Sequence, residues 1–146
     1  MSARELTRLT VEPGPDGVLA LAAELPMAIN GEGPALAPLP AGPPDYVDRI
    51  VAAVRPDDPS APLEHNDVAV VVATSGSMGE PRGVLLSGSA LIASAKASDS
   101  RLGGPSRWVM ALPAHHVAGL QVLVRAHLSG IPPIPLDSVG GAGHFS

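Results

Sequence analysis

No cysteine occurs in the 146 residues, which removes disulfides and thiolate zinc sites and fits a reducing compartment. Aromatic residues are nearly as scarce: Tyr46, Trp108 and Phe145 are all there are, so a core has to be aliphatic, built from Val, Leu and Ala. No apolar run approaches the ~20 residues of a membrane-spanning helix. The N-terminal stretch MSARELTRLT lacks the apolar segment of a signal peptide. Basic blocks are missing as well, and the net charge is -5, which argues against a nucleic-acid partner. The expectation from these absences is a soluble, cytoplasmic chain with no membrane span.

Glycine and proline are abundant, 16 and 17 residues respectively, and they crowd toward the two ends. Loops and connections should therefore flank a better-ordered middle. Gly17 to Ala28 places Val18, Leu21, Ala22 and Leu25 on one helical face, with Pro26 expected to end the helix early. Ala35 to Leu39 reads as a short strand whose pairing Pro38 and Pro40 limit. Pro43-Pro44-Asp45 opens a second helix with Tyr46, Val47, Ile50, Val51 and Val54 on one face, stopped by Pro56. Residues 55–66 form a polar, proline-bearing connection.

From Asp67 the texture changes. Val68 to Ala73 is apolar on both faces, as a central strand covered by helices would be. Gly83 to Leu86 reads as a second short strand. Ser87 or Ser89 can cap a helix with Leu91, Ala95 and Leu102 on its apolar face, closed by Gly103-Gly104. Trp108 to Leu112 reads as a third strand, ended by Pro113. A helix from Val117 to Leu128 carries Leu120, Val124 and Leu128 in a stripe, and Ile131 to Leu136 resumes strand character. Strands and helices alternating at this spacing predict an α/β fold with covered sheets. The divisions expected are 1–66 (helical and loop segment), 67–136 (α/β subdomain around the loop described next) and 137–146 (a Gly-rich end).

The apolar strand Val68 to Ala73 runs directly into Thr74-Ser75-Gly76-Ser77-Met78-Gly79-Glu80-Pro81-Arg82-Gly83. A Ser/Thr/Gly loop with one fixed cation after a buried strand is how a backbone cradles phosphate: glycines permit close approach, hydroxyls and N–H groups donate, and the cation offsets charge. The bland alternative is a Gly/Ser turn joining two strands. Neither G-x-x-x-x-G-K-[ST], G-x-G-x-x-G nor G-x-S-x-G can be fitted here. The segment resembles the phosphate loop of the adenylate-forming superfamily, [ST]-[ST]-G-[ST]-T-G-x-P-K-G. It matches at Thr74, Ser75, Gly76, Ser77, Gly79, Pro81 and Gly83, and departs at Met78 and Arg82.

A second constellation follows the third strand. Side chains at the carboxyl end of a strand, beside a helix N-terminus, are where α/β proteins place ligands. Residues Pro113-Ala114-His115-His116 occupy such a place. From the residues alone, His115 and His116 either line a site or merely cap the helix and hydrogen-bond nearby backbone. The superfamily carries Leu-Pro-x-x-His-x-x-Gly here, similar to Leu112-Pro113-Ala114-His115-His116-Val117-Ala118-Gly119. That resemblance implies that His116 lines the acyl pocket and the path of the CoA thiol, contacting substrate rather than acting as a nucleophile. A metal site finds no support. His116 and His127 are eleven positions apart, or roughly 16 Å along a helix at ~1.5 Å per residue, too far to share an ion at ~2 Å from each nitrogen.

The stretch from about Glu64 to Ile134 is most similar to the short actinobacterial-type o-succinylbenzoate–CoA ligases of menaquinone biosynthesis. The resemblance implies the N-terminal part of the large domain of such a ligase, in which ATP and the carboxylic acid form an acyl-adenylate and CoA then displaces AMP. It implies that Thr74, Ser75, Gly76, Ser77, Met78, Gly79 and Arg82 surround the phosphates, with ATP, Mg2+ and CoA as cofactor and co-substrates and a small carboxylic acid as partner. Met78 removes a hydroxyl where the family has threonine, and a thioether cannot donate to phosphate; Arg82 keeps the charge of the family's lysine on a larger, planar group. The family's adenine-binding motif, its Mg-binding glutamate and its C-terminal lysine have no counterpart before Ser146. The expectation is thus a partial enzyme with its C-terminal domain absent, inactive alone. The alternatives are another small aryl- or acyl-CoA ligase, or a non-catalytic remnant.

Overall fold

The computed structural model describes residues 5–54, 67–75, 81–104 and 107–135. Four strands form one sheet in the order β1-β2-β3-β4: β1 (Leu6–Val11), β2 (Ala35–Pro40), β3 (Val68–Ser75) and β4 (Pro81–Ser87). The first three run parallel, and β4 returns antiparallel to β3, from Ser75 opposite Pro81 to Val68 opposite Ser87. Helices α1 (Pro15–Asn30), α2 (Pro44–Val54), α3 (Gly88–Leu102) and α4 (Val117–Ser129) cover it, while β5 (Val109–Met110) and β6 (Ile134–Pro135) form a small parallel pair. This is the α/β architecture with covered sheets that the alternation of segments predicts.

Two aliphatic clusters lie on the two faces of the sheet. Helix α2 contributes Ile50 and Val54 to one, against Ala35, Ala37, Leu39, Val68 and Val71. The other joins α1, α3 and α4 over Leu36, Ala69, Val70 and Val72. Neighbouring residues of a strand normally face opposite sides, yet Ala69 and Val70 both join the second cluster; a register irregularity between Val68 and Val70 accounts for that.

Several expectations are corrected. Helix α1 does not end at Pro26 but continues to Asn30, closed by a left-handed Gly31. Proline costs the helix the bond to the carbonyl one turn back, but Leu25 and Ala28 are buried either side of it and keep the last turn docked. Strand β1 has no counterpart in the sequence reading. Leu102 is exposed at 60 % rather than on the apolar face of α3, whose buried residues are Gly88, Leu91 and Ala95. The segment from Trp108 to Leu112 is regular strand only at Val109 and Met110, and Ile131 to Leu136 only at Ile134 and Pro135.

Strand β2 shows how proline can sit inside a sheet. All its residues are buried, and it pairs with β1 along its length, from Leu6 opposite Ala35 to Val11 opposite Pro40. The Ala35 N–H donates to the Glu5 carbonyl oxygen at 2.8 Å, on the β1 side. Because N–H groups alternate sides along a strand, those of residues 36, 38 and 40 belong to the β3 side, and two of the three are proline. Pairing with β3 is accordingly confined to Leu36 opposite Val70. The prolines do limit pairing, on one flank only.

Helix starts and stops follow local chemistry. Ser87 caps α3, its hydroxyl accepting from the Ala90 N–H at 3.1 Å, and Gly103 ends it at φ 84°. At α4 the close approach of backbone decides the sequence: a Cβ on Gly119 would collide with the Pro113 carbonyl and lie 3.0 Å from the Met110 methyl. The final glycine of the Leu-Pro-x-x-His-x-x-Gly segment is therefore the residue that lets the first turn of α4 pack on the turn entering it.

Candidate functional site

Strands β1, β2 and β3 present their carboxyl ends to one edge of the sheet, where α/β folds open crevices. Two cavities lie there. The first, about 200 Å³, has Glu12, Pro40, Pro43, Tyr46, Ala114 and His115 in its wall. The second, about 230 Å³, is bounded by Tyr46, Arg49, Thr74, Pro81, His116 and Val117. Tyr46 belongs to both. Helix α2 closes the second cavity from one face of the sheet, and the start of α4 closes it from the other.

The site residues expected from sequence distribute as follows. Thr74 is half-buried at the end of β3 and lines the second cavity. Ser75 is the last residue of β3, opposite Pro81 in the hairpin. Gly76, Ser77, Met78 and Gly79 lie outside the described residues. Arg82 is exposed on β4 directly opposite Thr74, so the two share a face of the hairpin. Strands β3 and β4 are antiparallel neighbours here, with Thr74 and Pro81 both at the cavity wall. His116, some forty positions later, lines the same cavity.

The two histidines diverge. His116 is the N-cap residue of α4 in extended conformation, and its side chain makes no capping bond; the imidazole is exposed and available to the cavity. His115 is half-buried and opens on the first cavity. Burial first, and the neighbouring His116 second, hold its pKa down to about 4. The rings meet edge-on with centroids 4.4 Å apart.

One residue of the second cavity escaped the sequence reading. Arg49 lies on α2, one turn after Tyr46, with its guanidinium carbon 5.9 Å from the centre of the Tyr46 ring. It is exposed, and the only signal available beforehand was a cation next to the apolar face of an amphipathic helix. With Arg49, the Thr74 hydroxyl and the His116 imidazole, the cavity collects a permanent cation and two hydrogen-bonding groups, and no carboxylate lines it among the described residues. Such a wall favours an anion. No group of three or more His, Asp or Glu able to hold a metal occurs among the described residues, and no helix there is long and apolar enough to cross a membrane.

Comparison with known proteins gives a family match. The model of the AMP-binding enzyme family covers residues 14–138. The chain is 37 % identical over 129 residues to "Probable 2-succinylbenzoate--CoA ligase" of Mycobacterium tuberculosis, covering 88 % of the chain but 32 % of that relative. The chain therefore spans about a third of the length of the relative it matches. In structure it resembles the N-terminal subdomain of Klebsiella oxytoca NpsA, with a TM-score of 0.65 at 17 % identity over 100 % of the chain and 43 % of that one. It also resembles the o-succinylbenzoate CoA synthetase of Bacillus subtilis, with a TM-score of 0.56 at 19 % identity over 100 % of the chain and 45 % of that one.

Proposed function

The chain belongs to the AMP-binding enzyme family, and from that premise we propose that it is the phosphate-binding portion of an ATP-dependent acid–thiol ligase that converts o-succinylbenzoate to its CoA thioester. The observation that carries this reading is the convergence of Thr74 and Pro81, the two ends of the serine- and glycine-rich loop, with His116 on one cavity at the carboxyl edge of the sheet.

In the first half-reaction the substrate carboxylate attacks the α-phosphorus of ATP and pyrophosphate leaves. Thr74, Ser75 and Ser77 offer hydroxyls to the phosphate oxygens, Gly76 and Gly79 let backbone N–H groups approach, and Arg82 supplies charge at the hairpin end of the loop. In the second, the CoA thiol displaces AMP from the acyl carbon. His116, projecting from the α4 N-cap, borders the acyl group and the approach of the thiol. Met78 has no hydroxyl to give, so one charge-assisted contact worth about 1.5–3 kcal/mol is forgone, which slows the first step by ten- to a hundred-fold relative to a threonine-bearing loop. The Mg2+ that accompanies ATP finds no donor cluster among the described residues.

ATP–pyrophosphate exchange tests the reading, run on this chain and on the longest reading frame that contains it. Exchange stimulated by o-succinylbenzoate above benzoate and short fatty acids is the expected result. Exchange stimulated only by another carboxylate would replace the substrate. Failure of both forms to bind ATP or exchange would leave a non-catalytic module.

A further inference from the structure

Arg49 has no part in the two motifs, yet it faces the cavity on which they converge. Arg82 belongs to β4, whereas Arg49 approaches from α2, packed on one face of the sheet. Helix α2 is itself fixed by burial of Ile50 and Val54. The aromatic ring of Tyr46, three residues before Arg49, lies 5.9 Å from its guanidinium carbon, and both residues line the cavity.

We propose that Arg49 is a second cation of the polyphosphate subsite, contacting the pyrophosphate end of the nucleotide from the α2 side of the cavity. The inference rests on the phosphate-binding reading above and adds to it a residue outside the loop. A polyphosphate carries more charge than a single cation offsets, and a guanidinium can donate two parallel bonds to adjacent phosphate oxygens. The wall contributes the Thr74 hydroxyl and the His116 imidazole beside Arg49, and no carboxylate among the described residues opposes an anion there. The ligand class is therefore inorganic pyrophosphate or the β,γ end of a nucleoside triphosphate, in preference to a monophosphate or a carboxylate.

Titration calorimetry of the 146-residue chain with sodium pyrophosphate, AMP and o-succinylbenzoate tests this, comparing wild type with Arg49→Gln, Arg49→Lys and Arg82→Gln. The expected result is about tenfold weaker pyrophosphate binding for Arg49→Gln, with most of it recovered in Arg49→Lys and little change toward AMP or o-succinylbenzoate. Because Arg49 is exposed, an unchanged melting temperature separates this effect from misfolding. Undiminished pyrophosphate binding in Arg49→Gln alongside a loss in Arg82→Gln would overturn the inference and leave the loop assignment intact. A loss confined to o-succinylbenzoate would also overturn it, moving the cation to the acid. No pyrophosphate binding by the wild-type chain would remove both the inference and the reading beneath it.

Discussion

The two cavities at the edge of the sheet are nearly equal in size, about 200 and 230 Å³, share Tyr46, and receive one histidine each from adjacent positions. Their chemistry differs because the turn into α4 points the two side chains to different surroundings. His115 is pressed among proline-rich turns after β1 and β2, where desolvation keeps the ring uncharged. His116 stands at a helix N-cap beside Arg49 and Thr74. A His-His pair gives no hint of this division in sequence. The fold alone sets one ring, held neutral by burial, in a wall shared with Glu12, and the other in a mouth shared with Arg49.

The largest effect should come from destroying the turn on which both histidines depend. Gly119→Ala forces a methyl onto the Pro113 carbonyl and the Met110 side chain, and about 3 kcal/mol or more of stability should be lost. A chemical denaturation curve would reveal it. A change below about 0.5 kcal/mol would mean the two cavities do not depend on this close approach. Next, Tyr46→Ala takes away the partition that both cavities share. Tyr46 is only partly buried, so about 1–2 kcal/mol is expected, together with weaker pyrophosphate binding as Arg49 loses its aromatic support. Unaltered pyrophosphate affinity would show that the cation positions itself. Ser87→Ala removes the cap of α3, away from either cavity. It should cost about 1 kcal/mol in thermal unfolding and leave pyrophosphate affinity as it was, so any coupled loss would mean that binding merely tracks stability.

The most local effect is a pH dependence confined to the first cavity. Between about pH 6.5 and about pH 4 the unfolded chain carries a proton on residue 115 that the folded chain lacks. The stability gained from the neutral ring is thus complete above 6.5, falls as acid is added, and is gone below about 4. The groups around the ring are Glu12 and Tyr46 in the cavity wall and His116 against its edge. His115→Gln should flatten the stability–pH curve in that window by no more than the slope of one proton. An identical acid limb in the variant would assign the dependence to other groups.

How much of this was legible beforehand depends on which physical signal each residue carried. Strand β3 was plain because apolar residues on both faces announce a covered interior strand, and α2 because Tyr46, Ile50 and Val54 recur at helical spacing. Strand β1 was hidden: Thr7, Arg8 and Thr10 are exposed and Leu6 and Leu9 only half-buried, as suits an edge strand, leaving a weak alternation. Pro26 looks like a helix end from local geometry, yet tertiary packing carries α1 through it, whereas the pairing limit expected of Pro38 and Pro40 holds on the β3 flank alone because N–H directions alternate. Within the site, Thr74 and His116 were found through motifs with fixed spacing. Arg49 was not, since its role arises only when α2 is laid beside the end of β3.

The prolines of β2 have a last consequence. With no amide hydrogen at residues 38 and 40, the sheet carries a perforated line between β2 and β3, while the pairings on either side run the length of their strands, broken only by the irregularity between Val68 and Val70. Of all the ways to divide the four strands, parting along that line breaks the fewest hydrogen bonds. It separates the β1–β2 ribbon, which borders the His115 cavity, from the β3–β4 ribbon, which borders the His116 cavity. Amide exchange should register the asymmetry, with the N–H of Leu36 surrendering its proton sooner than its neighbours at Ala35 and Ala37.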